Sequence, residues 1–323
     1  CPLPSASQPH PFFTLCVVNF FMVLRDKNFG LALGGGAARA FSQVGTLKVL
    51  EQEGLYPKAL AGTSSGAFIS ALYALGIPAL ELEKMMLDMN MLGLWSQAFD
   101  FGLHKAALID GKRFIHWLDR EYFHGATFAN LQIPLVIACM DIETGELVLL
   151  REGSVAKAVM ASSSLSLIFA PVKIAGRYLI DGGFISTVPF PGLETLDLKS
   201  EQMLGIHAGI DAEASPFIRS LRTWYSSSSK RWQDVWLSLP APAPYKRLTK
   251  SLLYVLASYQ QRITAPEGAT LVSTRPPIAW WDFHKSLGAI QAGERAMREG
   301  LELWGKENQS PVSVDQRRGG FVH

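Results

Sequence analysis

Gly62-Thr63-Ser64-Ser65-Gly66 has the spacing of a nucleophilic serine set between two glycines. The glycines allow a sharp turn from strand to helix and a close approach of backbone to substrate. Such a turn exposes the middle hydroxyl at a helix N-terminus. Ser64 is therefore the candidate nucleophile, and Ser65 is the variable neighbour whose N–H is available to an oxyanion. The chemistry suggested is attack on an ester carbonyl. A second run, Gly34-Gly35-Gly36-Ala37-Ala38-Arg39, also lies between an apolar stretch and a helical pattern. A dinucleotide fingerprint needs a third glycine where Arg39 stands, and no acidic residue ends a second strand about 20 residues on. The other use of such a turn is to point successive backbone N–H groups at a developing oxyanion. Arg39 would then brace the loop or hold an anionic head group.

The serine needs a base. The seven histidines are His10, His104, His116, His124, His207, His284 and His323, and neither His207 nor His284 has a motif around it. A Ser-His-Asp hydrolase takes its histidine late in the chain, which points to His284 in "WDFHKS". His207 lies in an apolar strand and reads as a core or strand-end residue. Asp181, in "YLIDGGFISTVP", is the other candidate. It follows a β run, and Gly182 and Gly183 leave its carboxylate unobstructed. An Asp-Gly-Gly is also an ordinary turn, so the residues alone leave the base open.

The elements that must position these groups are legible in outline. "FGLALGGG" is a short buried strand, Phe29 to Leu33, entering a glycine turn. The helix after it buries Phe41, Val44, Leu47, Val49 and Leu50 and ends at Gly54. "KALAG" is a second strand, and "SGAFISALYALG" a second helix closed by Gly76. Strand–helix–strand–helix with glycines at both turns favours a parallel sheet covered by helices. An amphipathic helix is expected over residues 79–92. A turn and helix follow in "LIDGKRFIHWLDREY", and a hairpin around Glu143-Thr144-Gly145. "SVAKAVMASSSLSLIF" predicts a helix ending in a polar turn, "VKIAGRYLIDGG" a hairpin turning at Ala175-Gly176, and "QMLGIHAGID" another strand.

The 323 residues, with 48% hydrophobic and 18% charged content, describe a globular chain with a sizeable core. A net charge of +2 does not mark a nucleic-acid binder. Cys1, Cys16 and Cys139 form neither a disulfide framework nor a metal-ligand spacing. Phe12 to Leu24 is apolar but short for a bilayer span, with no basic residue before it. Residues 1–21 are read as a non-native or disordered leader ahead of a start at Met22, with a short membrane anchor as the alternative. Between Pro216 and Ile263 there are eight Lys or Arg against one acid, Asp234, interleaved with Trp and Tyr. Such helices either pack with snorkelling basic stems or lie on an anionic membrane surface. The tail is polar and is expected to be disordered.

Taken together, these blocks resemble the patatin-like phospholipase family, bacterial type. They are "LALGGGAARAFSQVGTLKVLEQEG", "AGTSSGAFISALYALG", "LIDGKRF", "IPLVIACMDIETGELVLLREG", "MASSSLSLIFAPVKIAGRYLIDGG" and "STVP". A weaker echo lies in "WWDFHKSLGAIQAGERAMREGLELW". The resemblance implies a three-layer α/β/α fold with a central, mostly parallel sheet and a helical, basic-aromatic extension. It implies one domain over 22–305, with a core at 29–211, an insertion at about 212–262 and a tail at 306–323.

The resemblance also implies a Ser-Asp dyad, with Ser64 as nucleophile and Asp181 as base and no catalytic histidine. Gly35, Gly36 and Ala37 with Arg39 match the oxyanion segment. No metal or cofactor is implied. The substrate would be a phospholipid, lysophospholipid or other acyl lipid; a start at Met22 would make the protein cytoplasmic, with peripheral contact to an inner membrane. The sequence departs from the family at Ala37 and Ala40, where many members have glycine, at Gln43, where histidine is frequent, and at Ser166, where proline is frequent. None of these touches the dyad, and Ala40, Gln43 and Ser166 are the only support for the alternative of a catalytically silent module that docks or regulates.

Overall fold

The computed structural model describes residues 28–89, 111–165, 169–209, 265–279 and 281–307. The leader, the basic-aromatic insertion, Ser166 and the tail beyond 307 lie outside the described residues.

Among the described residues, eight strands form one sheet: β1 (Gly30–Leu33), β2 (Ala59–Thr63), β3 (Leu135–Asp141), β4 (Leu147–Leu150), β5 (Val172–Ile174), β6 (Arg177–Asp181), β7 (Met203–His207) and β8 (Thr270–Ser273). Their order is β5-β6-β3-β2-β1-β7-β8, with β4 beside β3 off this path. The ladders β8-β7-β1-β2-β3 are parallel, and the pairings of β3 with β4 and β6, and of β5 with β6, are antiparallel. The sheet is thus mixed, with its parallel half carrying both glycine turns. The helices are α1 (Ser42–Gln52), α2 (Ser65–Ala74), α3 (Ala79–Asp88), α4 (Lys112–Leu118), α5 (Val155–Ser162), α6 (Phe190–Glu194) and α7 (Ser286–Glu307).

Period-two alternation divides the strands between two cores. Leu31, Leu33 and Leu60 face the thick layer with the buried faces of α1, α2, α3 and α5. Ala32, Ala59 and Ala61 face the other side, against Phe190 and Leu193 of α6. Small side chains there let the short helix come close: a Cβ on Gly192 would stand 3.0 Å from that of Ala61. The first two helices end as their glycines foretell. Gly54 (φ +66) and Gly76 (φ +93) are left-handed. Leu55 N bonds back to Leu50 O at 2.8 Å and Ile77 N to Leu72 O at 3.3 Å, closing a Schellman motif at each helix end.

Three features differ from the sequence expectation. A 3-10 turn, Ala37–Phe41, precedes α1 where one continuous helix was expected. Within 79–92, α3 ends at Asp88, and the stretch beyond residue 89 lies outside the described residues. The sheet also continues past 211. β8 extends its β7 edge, and α7 crosses α1 so closely that a Cβ on Gly45 would run into Ile290 O. The crossing is pinned by Lys48, whose ammonium lies 2.6 Å from Glu83 and 2.5 Å from Glu294.

Candidate active site

Strand register brings the two candidate groups together. Ile137 to Met140 pair with β4 along one edge of β3. On the opposite edge, β2 runs up parallel and ends with Thr63 opposite Ala138. On that same edge β6 runs down antiparallel, and its last residue, Asp181, lies opposite Cys139. Two strand ends therefore meet head-on at adjacent positions of one neighbour. Ser64 follows the first and Asp181 closes the second, and Ser64 Oγ donates to Asp181 Oδ2 at 2.6 Å.

Ser64 stands at the turn before α2 with φ 55 and ψ −129. An L-residue pays about 1–3 kcal/mol for such a conformation, so neighbours must hold it. Ser162 Oγ, at the end of α5, accepts from Ser64 N at 2.8 Å and donates to Ala138 O at 2.6 Å. The Ser64 carbonyl takes the N–H groups of Ala67 and Phe68. Both flanking glycines are required sterically. A Cβ on Gly62 would lie 2.5 Å from Ala67 Cα, and one on Gly66 would strike the carbonyls of Leu33 and Gly34. Ser65 opens α2, so its N–H has no carbonyl one turn back to bond.

Asp181 is nearly closed off from solvent, at 7% exposure. Its Oδ1 accepts from Gly183 N at 2.7 Å, and its own N–H bonds to Ser164 O at 3.2 Å. Burial pushes the carboxyl up to about 6, against the opposing pull of the bonds from Ser64 and Gly183. Gly182 has no room for a side chain, because a Cβ there would strike Ala138 O. Behind the carboxylate the buried Cys139 thiol is pushed well up by burial and by Asp181, and so stays neutral.

The glycine turn lies against the serine. A Cβ on Gly35 would stand 3.1 Å from Ser64 Cβ. Its N–H, however, is committed to Thr187 O at 3.1 Å, and Gly34 N to Ile206 O at 3.0 Å. This takes Gly35 out of the expected donor set. Among the described residues no main-chain carbonyl accepts from Gly36 or Ala37, the other two expected donors. Ala37 holds φ +50, in the left-handed region that an alanine adopts only at a cost. Arg39 closes the turn through its main chain, N to Gly36 O at 3.1 Å. Gln43, fully buried, donates from Nε2 to Gly34 O at 2.5 Å. The departure from histidine at this position thus keeps a side-chain donor on the loop.

The histidine candidates lie elsewhere. His207 closes β7, and its carbonyl accepts from Thr274 N at 3.0 Å. His284 is exposed on the turn Phe283–Lys285 ahead of α7. Sequence reasoning missed Ser162 and Thr187. Ser162 is one of three consecutive serines, and only the fold says which of them faces Ser64. Among the described residues no group of His, Cys, Asp or Glu gathers as a metal ion would need, and no helix is long and apolar enough to cross a membrane.

Comparison with known proteins identifies the family. Residues 31–193 match the family described as Patatin-like phospholipase. Lysophospholipase NTE1 of Coccidioides immitis is 27% identical over 298 residues, covering 90% of this chain and 19% of that protein. Patatin-like phospholipase domain-containing protein 6 of Homo sapiens is 28% identical over 305 residues, covering 92% of this chain and 22% of that protein. The chain thus spans about a fifth of the length of these relatives. Among solved structures, VipD from Legionella pneumophila superposes with a TM-score of 0.54 at 14% identity, over 85% of this chain and 66% of that one.

Proposed function

Because the chain belongs to the patatin-like phospholipase family, we propose that it is a lipid acyl-ester hydrolase working through Ser64 and Asp181. The observation that carries the reading is the 2.6 Å bond from Ser64 Oγ to Asp181 Oδ2. Ser64 Oγ attacks the ester carbonyl carbon, and its proton passes to Asp181. A free carboxylate, titrating near 4, is a weak base for an alcohol. Burial that lifts Asp181 to about 6 narrows that gap. Negative charge on the former carbonyl oxygen meets the N–H groups of Gly36, Ala37 and Ser65, each donor being worth on the order of 3 kcal/mol in the transition state. Collapse of the tetrahedral adduct breaks the bond to the alcohol, which leaves with the proton from Asp181. Water then adds to the acyl-serine by the same route in reverse. Lysophospholipids and phospholipids are the proposed substrates, following the lysophospholipase relatives.

The test is hydrolysis of a medium-chain p-nitrophenyl ester and of a lysophosphatidylcholine. Ser64→Ala and Asp181→Asn are expected to abolish turnover, while Ser65→Ala and His284→Ala retain it. Full activity in Asp181→Asn, or loss in His284→Ala, would overturn the dyad.

A further inference from the structure

Five half-buried aromatic side chains form one continuous arc beside the dyad. Phe68 on α2 meets Tyr122 edge to face, ring centres 5.1 Å apart. Tyr122 meets Trp117 at 5.2 Å, Trp117 stacks on Phe114 at 5.4 Å, and Phe114 lies 5.6 Å from Phe169. Each ring packs against the main core and is only partly buried. Both ends of the arc are tied to the dyad. Phe68 N bonds to Ser64 O at 3.3 Å. A helical side chain leans toward its own N-terminus, so the Phe68 ring covers the turn of α2 nearest Ser64. At the far end, Phe169 N bonds to Leu165 O at 3.1 Å, and the neighbouring Ser164 carbonyl takes the Asp181 N–H at 3.2 Å.

An arc of ring faces carrying no ionised group suits an occupant made of C–H bonds. We propose that Phe68, Tyr122, Trp117, Phe114 and Phe169 form the acyl-chain subsite and set the preference for long over short acyl groups. This rests on Ser64 and Asp181 being the reacting pair. With the ester carbonyl at Ser64, the first methylenes lie against Phe68 and later ones against Tyr122, Trp117 and Phe114. A butyryl group ends near the first ring, whereas a dodecanoyl group reaches the far ones. Rings, with few rotatable bonds, offer this area at little entropy cost.

The experiment compares kcat/KM for p-nitrophenyl dodecanoate with that for the butyrate. In Trp117→Ala and Phe114→Ala the dodecanoate-to-butyrate ratio is expected to fall on the order of tenfold, mostly through KM for the longer ester. Trp117→Phe should hold the ratio within about twofold, because it keeps a ring at that point. Leu80→Ala, an exposed leucine on α3 outside the arc, serves as the control with the wild-type ratio. An unchanged ratio in both alanine variants would overturn the subsite. If the alanine variants unfold, Trp117→Leu and Phe114→Leu replace them under the same criterion. Calorimetric binding of laurate to Ser64→Ala reads the arc without any chemistry. Weaker laurate binding in the added Trp117→Ala change supports the subsite even if wild type cleaves no ester, and equal binding counts against it.

Discussion

Two regions meet along α1. At its N-terminal end the glycine turn leans on Ser64, and farther along α7 lies across Gly45. Both depend on glycine and on backbone approaching backbone. At the crossing, the contacts satisfy the chain: Gly45 and Gly293 let the helices touch, Ser42 and Thr274 share a 2.6 Å hydroxyl bond, and Lys48 is paired twice. At the turn, the contacts hold unfavourable states: left-handed Ala37, the strained Ser64 and a buried carboxylate at Asp181. The difference separates a region that stabilises the fold from one that draws on that stability. Substitutions at the crossing should therefore cost stability alone, whereas relieving a strained or buried group at the turn should raise stability at the expense of activity.

Asp181→Asn should show the largest effect. The folded carboxyl titrates near 6, above its ordinary 3.8, so the folded protein binds the proton more tightly than the unfolded chain. Stability then falls as pH rises from about 4 to about 6 and stays lower above that, by about 3 kcal/mol for two pKa units. Activity runs the other way, because the base must be ionised: kcat/KM is expected to rise through about pH 6 and level off. The asparagine variant should lose at least about 10³-fold in kcat. At about pH 8 it should gain stability toward that 3 kcal/mol in urea unfolding, and the fall in stability that Asp181 contributes between about pH 4 and 6 should be absent. A variant less stable than wild type at that pH would break the comparison.

Gly45→Ala comes next. A helical glycine replaced by alanine ordinarily gains about 1 kcal/mol. Here the new methyl meets Ile290 O and, at 2.8 Å, Glu294 N, both main-chain atoms of α7 that have no rotamer to escape into. A net loss of about 3 kcal/mol is expected, read by urea unfolding, with turnover per folded molecule little changed.

The turn was far more legible in the sequence than the crossing, and the reason is physical. A nucleophile turn constrains neighbours along the chain: Gly62, Ser64 and Gly66 fall within five residues, and each glycine excludes a specific clash. The helix-ending glycines Gly54 and Gly76 are equally local. Asp181, 117 residues from Ser64, was preferred to His284 as the base only because its block resembles a known family, since taken alone Asp-Gly-Gly is an ordinary turn. What sets its place is strand register, and register is a pairing between distant segments. β8 was missed for the same reason, and the α7 stretch was legible only as a weak family echo. Gly45 and Gly293 look unremarkable in their own helices, and their meaning appears only when the two helices cross. Ser162 was hidden among identical neighbours, and Gln43 looked like a loss until its bond to Gly34 was seen.

Ser162→Ala tests whether the turn needs its support. It removes the acceptor of Ser64 N and the donor to Ala138 O, both in the interior. Leaving such groups unsatisfied costs about 1–3 kcal/mol. The serine would relax toward ordinary backbone angles, and Oγ would leave the line to Asp181. The expected result is a roughly tenfold fall in kcat with KM nearly constant, together with lower stability. A change in KM alone would place Ser162 in binding rather than in positioning Ser64.

Ala37→Gly should give the smallest effect and the finest test of the contrast. Alanine at φ +50 costs about 1 kcal/mol relative to a glycine, which meets no Cβ clash there. Against this, glycine gains freedom in the unfolded chain, so the net stabilisation is expected to be about 0.5 kcal/mol. The Ala37 N–H, proposed to face the oxyanion, keeps its place only as firmly as the turn holds it. With alanine, the methyl restricts the peptide to one narrow well, and with glycine the well widens. A small rise in Tm together with a two- to threefold fall in kcat, roughly, would mean that the alanine is retained for the aim of its N–H. If kcat and Tm both rose, the strain at residue 37 would have no share in catalysis, and the opposition between stability and activity at this turn would narrow to Ser64 and Asp181.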